Sequence, residues 1–201
     1  MNWNWFKKIN GNTPKFWEDY SASFSQNDKG KRFVVFDCKT SGTDFKTDKI
    51  LSIGAISVVN DQIKVVDSFS IFLKQDVFSE DAIKINGIIN NEIDEKYVEA
   101  EAVIQFLGFV ENAILVGYQP QFNIEMLNRA LERLELGRLK NEYMDITIMH
   151  QKHKQLNSDA IISLEELCDV YKIKKSDRHT AAGDAFIMAQ IFLKLKRKLE
   201  I

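Results

Sequence analysis

The sequence predicts an α/β domain organised around a mixed sheet, and three observations carry that prediction. Runs rich in β-formers crowd the first part of the chain, at residues 33–36, 50–59 and 62–73. Beyond residue 79 the apolar spacing changes to three and four, and two short apolar runs, 113–117 and 143–148, alternate with the helical segments. Asn60-Asp61 is a two-residue connection of the kind that closes hairpins through positive φ, so the strands on either side of it pair antiparallel. Strands first, then alternating helix and strand, is the pattern of a mixed sheet covered by helices.

Each element has a local reason. Residues 1–30 differ from the rest: Trp3, Trp5, Phe6 and Trp17 are scattered among polar residues, and 25–30 (SQNDKG) reads as a linker. A short amphipathic helix fits 13–23, and the three tryptophans, the only ones in the chain, have two destinations, the main body or a partner. After the 62–73 strand, Ser79-Glu80-Asp81 offers a helix N-terminus, with Val103, Phe106, Leu107 and Val110 on the apolar stripe. Pro120 stands where a helix begins, ahead of Phe122, Met126, Leu127, Ala130 and Leu131. A strand passes into a helix at 143–148. Ser163 with Glu165 and Glu166 opens another helix, and the last, over 180–199, places Ala185, Met188, Ala189, Phe192 and Leu195 on one stripe.

Composition sets outer bounds. With 201 residues, 45% of them apolar, and only 9 Gly and 2 Pro, the chain is neither disordered nor collagenous and can bury a full core. The pI near 6.0 argues against a protein held to nucleic acid by bulk positive charge; such a partner must be recognised locally. Cys38 and Cys168 are far apart and lie in apolar segments, as small buried hydrophobes of a reducing compartment do. No apolar run is long enough to cross a bilayer, and the N-terminus has no continuous apolar stretch, so a cytoplasmic protein without membrane association is expected.

Phosphate-loop, dinucleotide, hydrolase-elbow and zincin motifs are all absent. His150 and His153, three apart on a helix, lack a thiolate or third ligand and are expected at the surface. What remains is a set of polar residues at the ends of apolar elements: Asp37 after FVVF, Asn123 in the first turn of a helix, and His179 with Asp184 at the start of the last helix. A carboxylate closing an apolar strand needs a partner. Taken alone, Asp37 fits a loop-capping residue as well as a functional one.

Three segments together resemble the motifs of the DnaQ-like (DEDDh) 3′-5′ exonucleases, the group that includes the proofreading subunit of bacterial DNA polymerase III and RNase T. The first family motif, an apolar strand, D-x-E-T-T-G and a loop to I-x-x-I-G-A, is matched by FVVFDCKTSG and ILSIGAISV. The second, V-x-H-N-x-x-F-D, is matched by LVGYQPQFN, and the third, H-x-A-x-x-D-A, by HTAAGDA. The resemblance spans residues 32–199. It implies a ribonuclease-H-like fold, α/β, with a mixed five-stranded sheet of three antiparallel strands and then two more, helices on both faces. Together with the composition of its first segment, it divides the chain into a Trp-containing N-terminal appendage and linker, 1–30, and an exonuclease-like domain, 31–201. It also implies hydrolysis of single-stranded DNA or RNA 3′ ends by two metal ions, Mg²⁺ or Mn²⁺, held by carboxylates.

Carried over position by position, Asp37 and Asp184 match metal ligands and His179 the general base. Lys39 stands where the family has Glu, Asn123 where it has the second-motif Asp, and Tyr118 where it has His. Two of four carboxylates are thus gone and one is replaced by a cation, so weak metal binding and impaired or absent nuclease activity are expected. Residues i and i+2 of a strand share a face, so Lys39 has two destinations, between Asp37 and Asp184 in place of a metal or out into solvent. Lys174, Lys175 and Arg178 are placed near the rim of the cleft. The alternative reading is a non-catalytic module that binds nucleic-acid ends, or a protein partner, through the old groove and the tryptophan segment.

Overall fold

A computed structural model of the chain describes residues 13–25, 32–74, 96–157 and 161–201. Five strands form one sheet: β1 (Phe33–Thr40), β2 (Ile50–Val59), β3 (Gln62–Phe72), β4 (Ile114–Gly117) and β5 (Tyr143–Asp145), in the order β3-β2-β1-β4-β5. β1 runs antiparallel to β2 and β2 to β3, while β4 lies parallel to β1 and β5 parallel to β4. This is the expected α/β mixed sheet. The β2–β3 hairpin closes through Asn60 at φ 50° and Asp61 at φ 59°, the paired left-handed conformation whose twist matches that of the strands.

The helices are α1 (Lys15–Ser23), α2 (Glu99–Val110), α3 (Pro120–Arg133), α4 (Ile146–Lys154), α5 (Leu164–Tyr171) and α6 (Ala181–Leu199). Alternation along β1 feeds two cores. Val34, Phe36 and Cys38 pack with α2 and α3, whereas Phe33 and Val35 pack with α4, α5 and α6. Pro120 is the first residue of α3, and Ser163 forms a reciprocal capping box with Glu166 at the start of α5. Both cysteines are buried and free. Among the described residues no helix is long and apolar enough to cross a membrane.

Three expectations need comment. Residues 15–23 do form a helix, and it docks on the body. Tyr20 is buried, its hydroxyl donates to Asn141 Oδ1 at 2.7 Å and accepts from the Lys140 amide at 2.8 Å, and Trp17 packs over Gly137. Trp3, Trp5, Phe6 and residues 26–30 of the linker lie outside the described residues, as does the helix start at Ser79–Asp81; α2 itself begins at Glu99 behind Val98. His150 is not at the surface. It is 3% exposed, with Nδ1 2.7 Å from the Tyr171 hydroxyl, because α4 lies against α6 and turns that side of the helix inward.

Candidate functional site

The period of β1 decides where its polar end points. Asp37 and Lys39 continue the face of Phe33 and Val35, the face covered by α6, and Asp184 comes down onto them from the first turn of that helix. Gly54 of β2 stands opposite Asp37 in the sheet. A Cβ at Gly54 would collide with the Ala182 amide nitrogen and the Ala181 carbonyl carbon, so bare strand backbone at this one position lets the helix approach. Thr180 caps α6 by accepting from the Gly183 amide at 3.0 Å, and donates its own hydroxyl proton to the Asp177 carbonyl at 2.8 Å. These bonds fold the preceding loop back over the helix start.

The Lys39 ammonium sits between the acids, 2.5 Å from Asp184 Oδ2 and 2.9 Å from Asp37 Oδ2. All three side chains are largely buried, Lys39 and Asp37 at 17% exposure and Asp184 at 4%. The Asn123 side-chain amide donates to Asp37 Oδ1 at 3.1 Å. Asp184 Oδ1 accepts from Arg178 Nη1 and from the His179 main-chain N–H at 3.3 Å. Two carboxylates therefore face two cations and the cluster is formally neutral. Burial pushes the Asp37 carboxyl above its ordinary value, against the opposing pull of Lys39. For Lys39 burial acts downward, but the two carboxylates outweigh it and hold the ammonium's pKa above the ordinary lysine value, so it is charged at neutral pH.

The residues singled out from the sequence divide into two groups. Asp37, Lys39, Asn123 and Asp184 meet, and Lys39 takes the inner of its two destinations. His179 belongs to the cluster through its backbone; its φ is 70° and the residue is exposed. Tyr118 does not join it. Its ring packs into the α6-side core and its hydroxyl donates to the Ile162 carbonyl at 3.1 Å. Of the three rim cations, Lys175 is engaged by Asp169 at 2.8 Å and Glu165 at 3.1 Å on α5, Lys174 is exposed, and Arg178 is a member of the cluster. The Arg178–Asp184 contact was not legible beforehand. The one signal for it is position, the residue immediately before His179.

The family implies divalent ions, and these residues do not fit them. A pair of divalent ions requires a set of oxygen donors carrying net negative charge. Here an ammonium fills the space between the two carboxylates, and both Asp184 oxygens are bonded to cations. Asp37 Oδ2 alone lacks an aligned hydrogen-bond donor, and it faces Lys39. Among the described residues no group of three His, Cys, Asp or Glu side chains is arranged to hold a metal.

Residues 34–192 match the family described as Exonuclease, of RNase T type. The chain is 28% identical over 170 residues to a PolC-type DNA polymerase III of Caldanaerobacter subterraneus subsp. tengcongensis, covering 84% of this chain and 12% of that protein. It is 29% identical over 176 residues to the epsilon subunit of DNA polymerase III from Salmonella typhimurium, covering 81% of this chain and 70% of that subunit. It thus spans about an eighth of the PolC-type relatives. Among solved structures, E. coli Exonuclease I in complex with a dT13 oligonucleotide superposes with a TM-score of 0.70 at 18% identity, over 85% of this chain and 42% of that one. That likeness makes the sheet and its helices the ribonuclease-H-like fold of the exonucleases. With the family match running from β1 through most of α6, the chain belongs to the exonuclease family, whose DnaQ-like members its three motifs resemble.

Proposed function

We propose that this domain engages single-stranded nucleic-acid 3′ ends in the exonuclease groove and that its hydrolytic activity is impaired, because Lys39 occupies the place of the first metal ion. The observation that carries the reading is the Lys39 ammonium at 2.5 and 2.9 Å from the two surviving carboxylates. A protonated amine there neutralises Asp37 and Asp184 without a dication and takes away the charge that would draw one in. Asn123 keeps the size of the family aspartate and serves as a hydrogen-bond donor to Asp37, a role open to an amide and closed to a carboxylate. By resemblance Asp37 and Asp184 are the remaining metal positions, and Mg²⁺ or Mn²⁺ binds weakly. His179, exposed at the edge of the cluster, keeps the position of the general base. The two buried free thiols agree with a cytoplasmic protein.

The test combines Mn²⁺ titration by calorimetry with digestion of a 3′-labelled single strand. Wild-type protein should show neither two sites of ordinary micromolar strength nor appreciable digestion. Lys39→Glu together with Asn123→Asp should gain both, and each single variant should gain much less. Wild-type digestion at a rate comparable to the double variant would overturn the reading.

A further inference from the structure

We infer that Arg178 is the phosphate-binding residue of this groove and that it holds a single strand without any metal. The inference rests on the nucleic-acid reading above and gives it a residue. Lys39 is the obvious cation at the cleft floor, but its ammonium is already shared between two carboxylates, Asp37 and Asp184. Arg178 is bound differently. Only Nη1 is engaged, by Asp184 Oδ1; among the described residues Nη2 and Nε have no hydrogen-bond partner, and the side chain is 17% exposed. A guanidinium presents its donors as a rigid fork matched to two oxygens of one phosphate. Anchored at one corner by a buried carboxylate, that fork is pre-oriented and loses little rotamer freedom on binding.

Charge balance favours the same assignment. Four uncompensated carboxylates repel a phosphodiester until metals arrive, whereas this cluster of two acids and two cations is formally neutral before any ligand binds. The partly unengaged guanidinium then sets the local sign. The loop that carries Arg178 also walls an open groove lined by Lys174, Asp177, Thr180, Phe186 and Gln190. Phe186 is 41% exposed and Lys174 is also exposed, so the groove beside this loop offers a single strand an aromatic face and a second cation.

The experiment is a fluorescence anisotropy titration of a labelled oligothymidylate into the full chain, with EDTA present, at about 50 and about 200 mM salt. Arg178→Ala should weaken binding about tenfold at the lower salt. It should also reduce the slope of log K against log salt by about 0.7, the share of one phosphate contact on a single strand. Lys196→Ala, at the far end of α6 where Lys196 pairs with Asp61, should leave both values unchanged. The deciding variant is Arg178→Ala with Asp184→Asn, which restores neutrality without restoring the fork. Binding that stays weak in it supports direct contact; recovery to the wild-type value reduces Arg178 to a counter-charge and overturns the inference. Arg178→Lys, which keeps the charge but not the fork, serves if the alanine variant does not fold: it should bind more weakly with an unchanged slope, and wild-type affinity would count against the inference. Wild-type protein that fails to bind at the lower salt would overturn the nucleic-acid reading itself, whereas wild-type binding with an unaffected Arg178→Ala variant would overturn only the assignment to Arg178.

Discussion

Replacing Lys39 by methionine keeps the length of the side chain and removes the ammonium. Asp184 would retain Arg178 and the His179 amide, so the loss falls mainly on Asp37, left with the Asn123 amide alone. Breaking a buried ion pair by removing one partner costs about 3–5 kcal/mol. Asp37 keeps 17% of its exposure and Asp184 keeps a cation, which places the expected cost near the lower end, about 3 kcal/mol. For a chain of this size that corresponds to a melting temperature lower by about 6–12 °C. The carboxyl of Asp37, already raised by burial, rises further without its cation, so the deficit should be largest at neutral pH and shrink as pH falls through that value and the group takes up a proton. Thermal and urea unfolding of Lys39→Met and of Lys39→Met with Asp37→Asn provide the assay. The second change removes the stranded charge and should recover most of the loss. If the single variant is as stable as wild type, or the double variant no better than the single, Lys39 is not the internal counter-ion of this site.

Other outcomes follow from particular contacts. Gly54→Ala places a Cβ against the backbone of Ala181 and Ala182 and should cost about 3 kcal/mol in urea unfolding, since strand and helix backbone must both move. His150 has its pKa lowered by burial and then by Lys154 and His153, so the folded state favours neutral imidazole. Its contribution is present above the unfolded value of 6.5 and lost as pH falls below it, and His150→Gln should flatten the stability–pH curve in that window. Tyr20→Phe removes the hydroxyl that accepts from Lys140 and donates to Asn141, leaves a part-buried amide without a partner, and should cost about 1–2 kcal/mol by chemical denaturation.

The sequence by itself determined the elements and much of the site. Runs rich in β-formers and the Asn60-Asp61 connection specify the β1–β2–β3 meander because β-propensity and the twist of a two-residue turn are local properties. Pro120 and Ser163 mark helix starts for equally local reasons. The pairing of Asp37 with Lys39 on one face needs only strand periodicity, and the motif spacings associate Asn123 and Asp184 with them. Only the tertiary structure decided what depends on how elements pack. Whether Lys39 turned inward depended on how close Asp184 comes to β1, and that distance is set by Gly54 and the first turn of α6. The burial of His150 follows from α4 packing on α6, which no property of the α4 segment announces. Arg178 reaches Asp184 because the Asp177–Thr180 bonds fold its loop over the helix start. A cation one residue from a motif has many directions open to it in sequence, and the loop's long-range closure leaves it one.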